Sequence, residues 1–198
     1  MFERVKHESI AGIFVGGRAT RMGGRPKGLL VAPSGETIVA RWRRLFEGIG
    51  VPVVLVGQDE SYSGMGFDAI ADTPSSSRSA ANGGPMAGLV ALLEHAGNRV
   101  AYCVACDMPY PSAALVDRLR SAPPVTVVAA RRGDLWEPFF SRWDAAAASA
   151  RVRAYAAAGG HRLQTLFDDL EATRLPLSAD EEQELRDWDA PDDIGHAR

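Results

Sequence analysis

Apolar residues in this chain fall into short unbroken runs, separated by stretches in which they recur every three or four positions. Glu8–Val15, Val51–Val56, Arg99–Ala105 and Val125–Ala130 are runs of the first kind and predict strands, with a shorter one at Asp68–Ala71. Ile38, Trp42, Leu45, Phe46 and Ile49 recur at helical spacing, with Arg41, Arg43, Arg44 and Glu47 on the opposite face. Pro85–His95, carrying Met86, Leu89, Val90, Leu92 and Leu93, predicts a second helix, and Ser112–Arg120, capped by Ser112, a third. After Arg131 the pattern changes. Trp136–Trp143 predicts an edge strand or a hairpin arm, Asp144–Ala158 an alanine-rich helix, His161–Leu170 a short helix and Ala172–Leu177 a last strand. Unbroken apolar strands alternating with helices predict an α/β fold whose mostly parallel sheet is covered on both faces. There is no internal repeat and no interdomain linker, so one domain over residues 1–198 is expected. The composition of Thr73–Gly84 predicts a mobile loop.

Composition narrows the classes. A formal net charge of -3 argues against a nucleic-acid binder that works by bulk electrostatics. No apolar run approaches the ~20 residues of a membrane span, and Met1–Lys6 has no signal-peptide core, so a cytoplasmic protein is expected. The two cysteines, Cys103 and Cys106, have C-x-x-C spacing. They lie on a predicted buried strand, where positions three apart face opposite ways, so they read as small core residues and not as a redox or metal pair. The four histidines are scattered, and no Ser/His/Asp or Cys/His constellation indicates covalent catalysis.

The richest chemistry follows the first strand. Ile13-Phe14-Val15 breaks into Gly16-Gly17, and glycines, arginines and a lysine follow through Lys27-Gly28. Glycines let backbone N–H groups close on an anion, and Arg and Lys neutralise it, so this loop suits a polyphosphate. It is not a P-loop, because Lys27 is followed by Gly28-Leu29 and not by Ser or Thr. Nor is it a dinucleotide fingerprint, because its glycines are adjacent and Pro26 interrupts any helix. Ligands of parallel sheets bind beyond the carboxyl ends of the strands. There the other strands offer Gly57-Gln58-Asp59, then Asp72 and the loop to Gly83-Gly84-Pro85, then Cys106-Asp107-Met108-Pro109. Asp107 is the best candidate ligand for Mg²⁺, which takes one or two carboxylates together with substrate phosphates. Asp72 serves equally well as a base or ribose contact or as the start of a loop. Lys27 and Arg21 are the candidates for stabilising charge in a phosphoryl-type transfer.

These motifs resemble the molybdenum cofactor guanylyltransferase family of the nucleotidyltransferase superfamily. The resemblance runs in order through Phe14-Val15-Gly16-Gly17, Arg21-Met22-Gly23, Lys27-Gly28, Asp72, Gly84-Pro85-Met86-Ala87-Gly88, Cys106-Asp107-Met108-Pro109, Glu137-Pro138-Phe139-Phe140 and Asp187-Trp188-Asp189-Ala190-Pro191. It implies a Rossmann-like three-layer sandwich of the nucleotide-diphospho-sugar transferase type. It implies transfer of GMP from GTP to the terminal phosphate of molybdenum-molybdopterin, with Arg21, Lys27 and Asp107 catalytic. The nucleotide would lie across Phe14, Val15, Gly16, Gly17, Lys27, Gly57, Asp72, Gly84 and Asp107, with Mg²⁺ on Asp107. The resemblance also implies cofactor-delivery proteins as partners. Three departures stand out. Pro26 replaces the family's usual Asp, Gly57 falls where the family often has a base-contacting Asn, and both C-terminal Asn positions are Asp. Other branches use a C-terminal Asp as a second metal ligand, which would fall to Asp189. A CTP-dependent molybdopterin cytidylyltransferase, a sugar- or alcohol-phosphate nucleotidyltransferase and a non-catalytic nucleotide-binding module stay open as alternatives.

Overall fold

A computed structural model describes residues 8–15, 26–71 and 84–195. Seven strands form one sheet: β1 (Ser9–Phe14), β2 (Val53–Val56), β3 (Asp68–Ile70), β4 (Val100–Ala105), β5 (Val127–Arg132), β6 (Leu135–Asp144) and β7 (Thr173–Leu175). Their spatial order is β3-β2-β1-β4-β6-β5-β7, and β6 alone runs antiparallel to its neighbours. The mostly parallel sheet read from the apolar runs is therefore present.

Alternation along the strands divides the core in two. Ala11, Ile13 and Val15 of the first strand and its end, with Tyr102, Val104 and Cys106 along the fourth, face one layer. That layer holds α1 (Ile38–Glu47) and α3 (Ala113–Arg120). Ile10, Phe14, Ala101 and Cys103 face the other, made by α2 (Gly84–Ala96), α4 (Ala145–Ala157) and α5 (Leu163–Asp169). The result is a three-layer α/β/α sandwich. The cysteines behave as expected. Both are free, they sit in opposite core layers, and burial pushes each thiol up to about 12. At neutral pH they are uncharged.

Helix starts follow their caps. Thr37, Ser112 and Asp144 each accept a backbone N–H three residues on. Amphipathic α1 buries Ile38, Val39, Trp42, Leu45 and Phe46. Aliphatic and aromatic side chains buried to this extent contribute about 1.5–3 kcal/mol each.

Of the two readings of Trp136–Trp143 the hairpin arm holds, because β6 pairs antiparallel with β5 across a turn at 133–134. The edge reading fails, because β6 lies inside the sheet between β4 and β5. Pro138 suggests an edge, since proline cannot donate to a ladder. The chain accommodates it with a bulge. Ala129 pairs with Ser141 while Ala130 pairs with Glu137, so residues 138–140 loop out of register with β5. The Pro138 carbonyl accepts the Ser141 hydroxyl at 2.6 Å.

After β7 come two short helices, α6 (Ala179–Glu184) and α7 (Pro191–Gly195), joined by an irregular stretch containing Asp187-Trp188-Asp189. Among the described residues no helix is long and apolar enough to cross a membrane. The predicted mobile loop at 73–84 lies outside the described residues except for Gly84, which opens α2 with φ +62°.

Candidate active site

Parallel pairing puts the carboxyl ends of β3, β2, β1 and β4 along one rim: Ile70 beside Val56, Val56 beside Phe14, and Phe14 beside Ala105. Phe14 and Val15 are at that rim, but their side chains are buried in opposite core layers, Phe14 against Phe139. What they bring to the rim is backbone, and part of it is already engaged. The Phe14 carbonyl accepts Cys106 N–H and the Val15 N–H donates to Val56. Gly57 sits at the end of β2 with φ +106°, a left-handed conformation that favours glycine, and donates its N–H to the Ile70 carbonyl at 3.0 Å. Gly16, Gly17, Arg21 and Asp72 lie outside the described residues.

Lys27 begins a single 3₁₀ turn, Lys27–Leu29, directly after Pro26. Gly28 explains how that turn comes so close to the sheet. A Cβ there would lie 2.6 Å from Val39 Cγ1, 2.8 Å from Tyr62 Oη and 3.1 Å from Cys106 Cβ. The Gly28 N–H donates to the buried Tyr62 hydroxyl at 3.2 Å. The turn is thus wedged against the residue preceding Asp107, and Lys27 reaches the rim.

There Lys27 Nζ donates to Asp107 Oδ2 at 3.0 Å and to Asp189 Oδ1 at 2.6 Å. Burial pulls the ammonium's pKa down, but the hydrogen bond and charge of Asp189 and of Asp107 outweigh it and hold Lys27 above its ordinary value. It is a fixed positive charge. Asp107, Asp187 and Asp189 each present a carboxylate oxygen, all within 4.8 Å of one another. Asp187 is exposed as a residue, yet its carboxyl turns into this cluster. Desolvation there, aided by the charges of Asp189 and Asp107, raises its pKa. Glu137, from the bulged start of β6, pairs with Arg132, and both are near enough to act electrostatically on Asp187. Glu137 is itself raised, first by burial and then against the pull of Arg132. The clustered carboxylate oxygens of Asp107, Asp187 and Asp189 are a donor set that fits a hard divalent ion such as Mg²⁺, with Lys27 bonded to two of them.

Of the residues singled out from the sequence, the structure brings together Lys27, Asp107 and Asp189. Gly57 directly follows β2, and Gly84 opens α2. Asp187, Glu137 and Arg132 were not assigned roles from the sequence, although Asp187 and Glu137 stand within the quoted motifs. The one available signal for Asp187 was its i,i+2 spacing from Asp189, which in an extended stretch gives both the same side.

A cavity of about 300 Å³ opens at the end of β2, lined by Gly57, Gln58, Asp59, Tyr62 and Phe67 among others. Tyr62 therefore touches both this cavity and the Lys27 turn.

Three comparisons bear on the chain. Residues 11–173 match the family model described as MobA-like NTP transferase domain. The chain is 31% identical over 176 residues to the molybdenum cofactor guanylyltransferase of Serratia proteamaculans, covering 87% of this chain and 86% of that one. Its fold is shared with the molybdopterin-guanine dinucleotide biosynthesis protein A structure from Archaeoglobus fulgidus, with a TM-score of 0.73 and 19% identity over 96% of both chains. It is also shared with 2-C-methyl-D-erythritol 4-phosphate cytidylyltransferase from Thermus thermophilus, with a TM-score of 0.63 and 14% identity over 95% of this chain and 96% of that one.

Proposed function

The chain belongs to the MobA-like NTP transferase domain family of nucleotidyltransferases, and we propose that its reaction is the transfer of GMP from GTP to molybdenum-molybdopterin. The terminal phosphate oxygen of the pterin substrate attacks the α-phosphorus of GTP. The bond from that phosphorus to the bridging oxygen breaks, and pyrophosphate leaves. The observation that carries the reading is the meeting of Lys27 with Asp107 and Asp189 at the carboxyl rim of the sheet, from positions 80 and 162 residues apart.

Each residue has a distinct task. Lys27 places a positive charge where the triphosphate lies, and because the two aspartates keep it protonated it works as an electrostatic group and not as a base. Arg21 and the Gly16-Gly17 backbone extend that cradle, a role supported by the motif they share with the family. Asp107, Asp187 and Asp189 would hold Mg²⁺, which when bound supplies Lewis-acid neutralisation of phosphate charge. Gly57, Gly84 and Asp72 flank the nucleotide, with Asp72 contributing to base or ribose selection. In-line phosphoryl-type transfer asks the protein mainly for position and charge, which this rim supplies. The whole chain acts as a single catalytic domain.

The base is the point at which a second reading has support. A cytidylyltransferase shares this fold, and Gly57 stands where a base-contacting Asn would be expected. The experiment is thermal shift with each nucleoside triphosphate and Mg²⁺, followed by pyrophosphate release on adding molybdenum-molybdopterin. GTP should raise Tm most and give turnover. A larger shift and turnover with CTP would move the assignment to the cytidylyl branch. Lys27→Ala should abolish turnover with its far-ultraviolet circular dichroism unchanged, and full activity in that variant would overturn the reading.

A further inference from the structure

Between the two C-terminal aspartates stands Trp188, only 2% exposed and packed into the α1/α3 core layer beside Leu185. The stretch around it has no regular secondary structure, so no ladder fixes its position. Three contacts tie it to one place instead, the turn that carries Asp107. The Trp188 backbone N–H donates to the Asp107 carbonyl at 2.9 Å. Its indole Nε1–H donates to the Tyr110 hydroxyl at 2.9 Å. The two rings meet edge to face, 6.0 Å between centroids at 86°. Beyond it, Asp193 Oδ2 accepts the backbone N–H groups of Asp189 and Ala190 at 2.8 Å each.

We propose that Trp188 is the positioning residue of the acidic cluster: with its side chain locked inward on Tyr110, its neighbours Asp187 and Asp189 are turned out together toward Asp107. Like-charged carboxylates repel and would spread apart on a loosely attached segment. A side chain buried between them, bonded to the same turn that carries the third carboxylate, fixes all three in one frame. The proposal rests on the metal-holding role assigned above to these aspartates, and it adds a residue whose chemistry is wholly apolar and hydrogen-bonding. Tyr110 is the second half of the device, since its hydroxyl is the acceptor for the indole.

The test uses the full chain and Mn²⁺, which accepts the same oxygen donors and is read by electron paramagnetic resonance without nucleotide. Trp188→Phe keeps a buried ring and loses the indole donor, and Tyr110→Phe loses the acceptor. Each should weaken Mn²⁺ binding about fivefold, the size of one hydrogen bond, and the double variant should be no weaker than the singles. In turnover assays the Mg²⁺ concentration for half-maximal rate should rise by a similar factor, while kcat at saturating Mg²⁺ returns to the parent value. Unchanged Mn²⁺ affinity in both single variants would overturn the proposal, as would a rate defect that excess metal does not restore. Asp107→Asn and Asp189→Asn separate the two levels of the argument. If both bind Mn²⁺ as tightly as the parent, the metal reading itself fails and the positioning role falls with it. If they lose binding while Trp188→Phe and Tyr110→Phe do not, the positioning role alone is wrong.

Discussion

The aspartates of this site stand on two very different supports. Asp107 follows β4, a buried strand paired on one side with β1 and on the other with β6, and the residue before it donates its N–H to the Phe14 carbonyl. Asp187 and Asp189 stand on a strap that follows β7 and has no strand neighbour. The strap is held by side chains: Arg118 pairs with Glu181 and donates to the Pro176 carbonyl at 2.6 Å, and Glu184 accepts the Ser112 N–H at 2.7 Å. The first support is backbone ladder and core, insensitive to salt. The second is anchored by buried Leu185 and Trp188 but is also fastened by the Arg118–Glu181 ion pair near the surface, which salt screens and protons disrupt. The comparison teaches that one half of the cluster is built into the sheet and the other half is fastened to it. Perturbations of charge should therefore reach the site through the strap.

The largest expected effect tests whether the two halves differ in catalysis. Asp107→Asn should lower kcat/KM by about a thousandfold, the scale of losing a preorganised electrostatic group. Asp189→Asn, whose partner Asp187 remains, should cost only about tenfold. Steady-state kinetics with melting curves as a folding control would read this, and equal losses would erase the distinction.

Next comes Gly28→Ala, aimed at the sheet-side support. The added methyl meets Val39, Tyr62 and Cys106 at 2.6–3.1 Å, so overpacking should cost about 1–3 kcal/mol in urea unfolding. It should also push the Lys27 turn off the rim and reduce turnover. A variant as stable and active as the parent would show that this packing is soft.

Arg118→Ala cuts the strap's charged tie. Its stability cost should stay within about 1 kcal/mol, as for other exposed ion pairs. The Mg²⁺ requirement should nonetheless rise, and high salt should imitate the substitution in the parent protein. A large loss of stability with no change in Mg²⁺ requirement would contradict the fastened-strap picture.

The smallest effect is in pH. The Arg118 hydrogen bond, then the Ser178 N–H, hold the Glu181 carboxyl down at about 2. A depressed acid stabilises the fold fully above its unfolded pKa, and that contribution disappears as pH falls through the ordinary carboxylate range toward 2. Glu181→Gln should therefore be less stable than the parent at pH 7, by about a few tenths of a kcal/mol after solvent screening. The difference should close by pH 2. A gap that persists unchanged at pH 2 would show that the ion pair is not its source.

Much of this architecture was already legible along the chain. The unbroken apolar runs located β1, β2, β4 and β5, because a strand buried on both faces must be apolar throughout, while the largely exposed β3 and β7 left weaker signals. The C-x-x-C pair could be read as core, because strand geometry sends positions 103 and 106 to opposite layers. Asp107 announced itself by standing at the end of such a strand. Local chemistry sufficed for each of these. It left Trp136–Trp143 between an edge strand and a hairpin arm, and only the pairing with both β4 and β5, with a bulge around Pro138, decided for an interior hairpin arm. It was silent on what distant segments do to one another. No local pattern says that Lys27 will bridge Asp107 and Asp189, that Glu137 and Arg132 will stand beside Asp187, or that Trp188 will lock onto Tyr110. Those pairings join positions far apart in the chain, and they exist because the sheet order and the return of the strap bring the ends together. Residue type and spacing fixed the elements and the kind of chemistry, whereas the assembly of charges into one site waited on tertiary packing, since Coulomb and hydrogen-bond terms depend on separation in space and not on distance along the backbone.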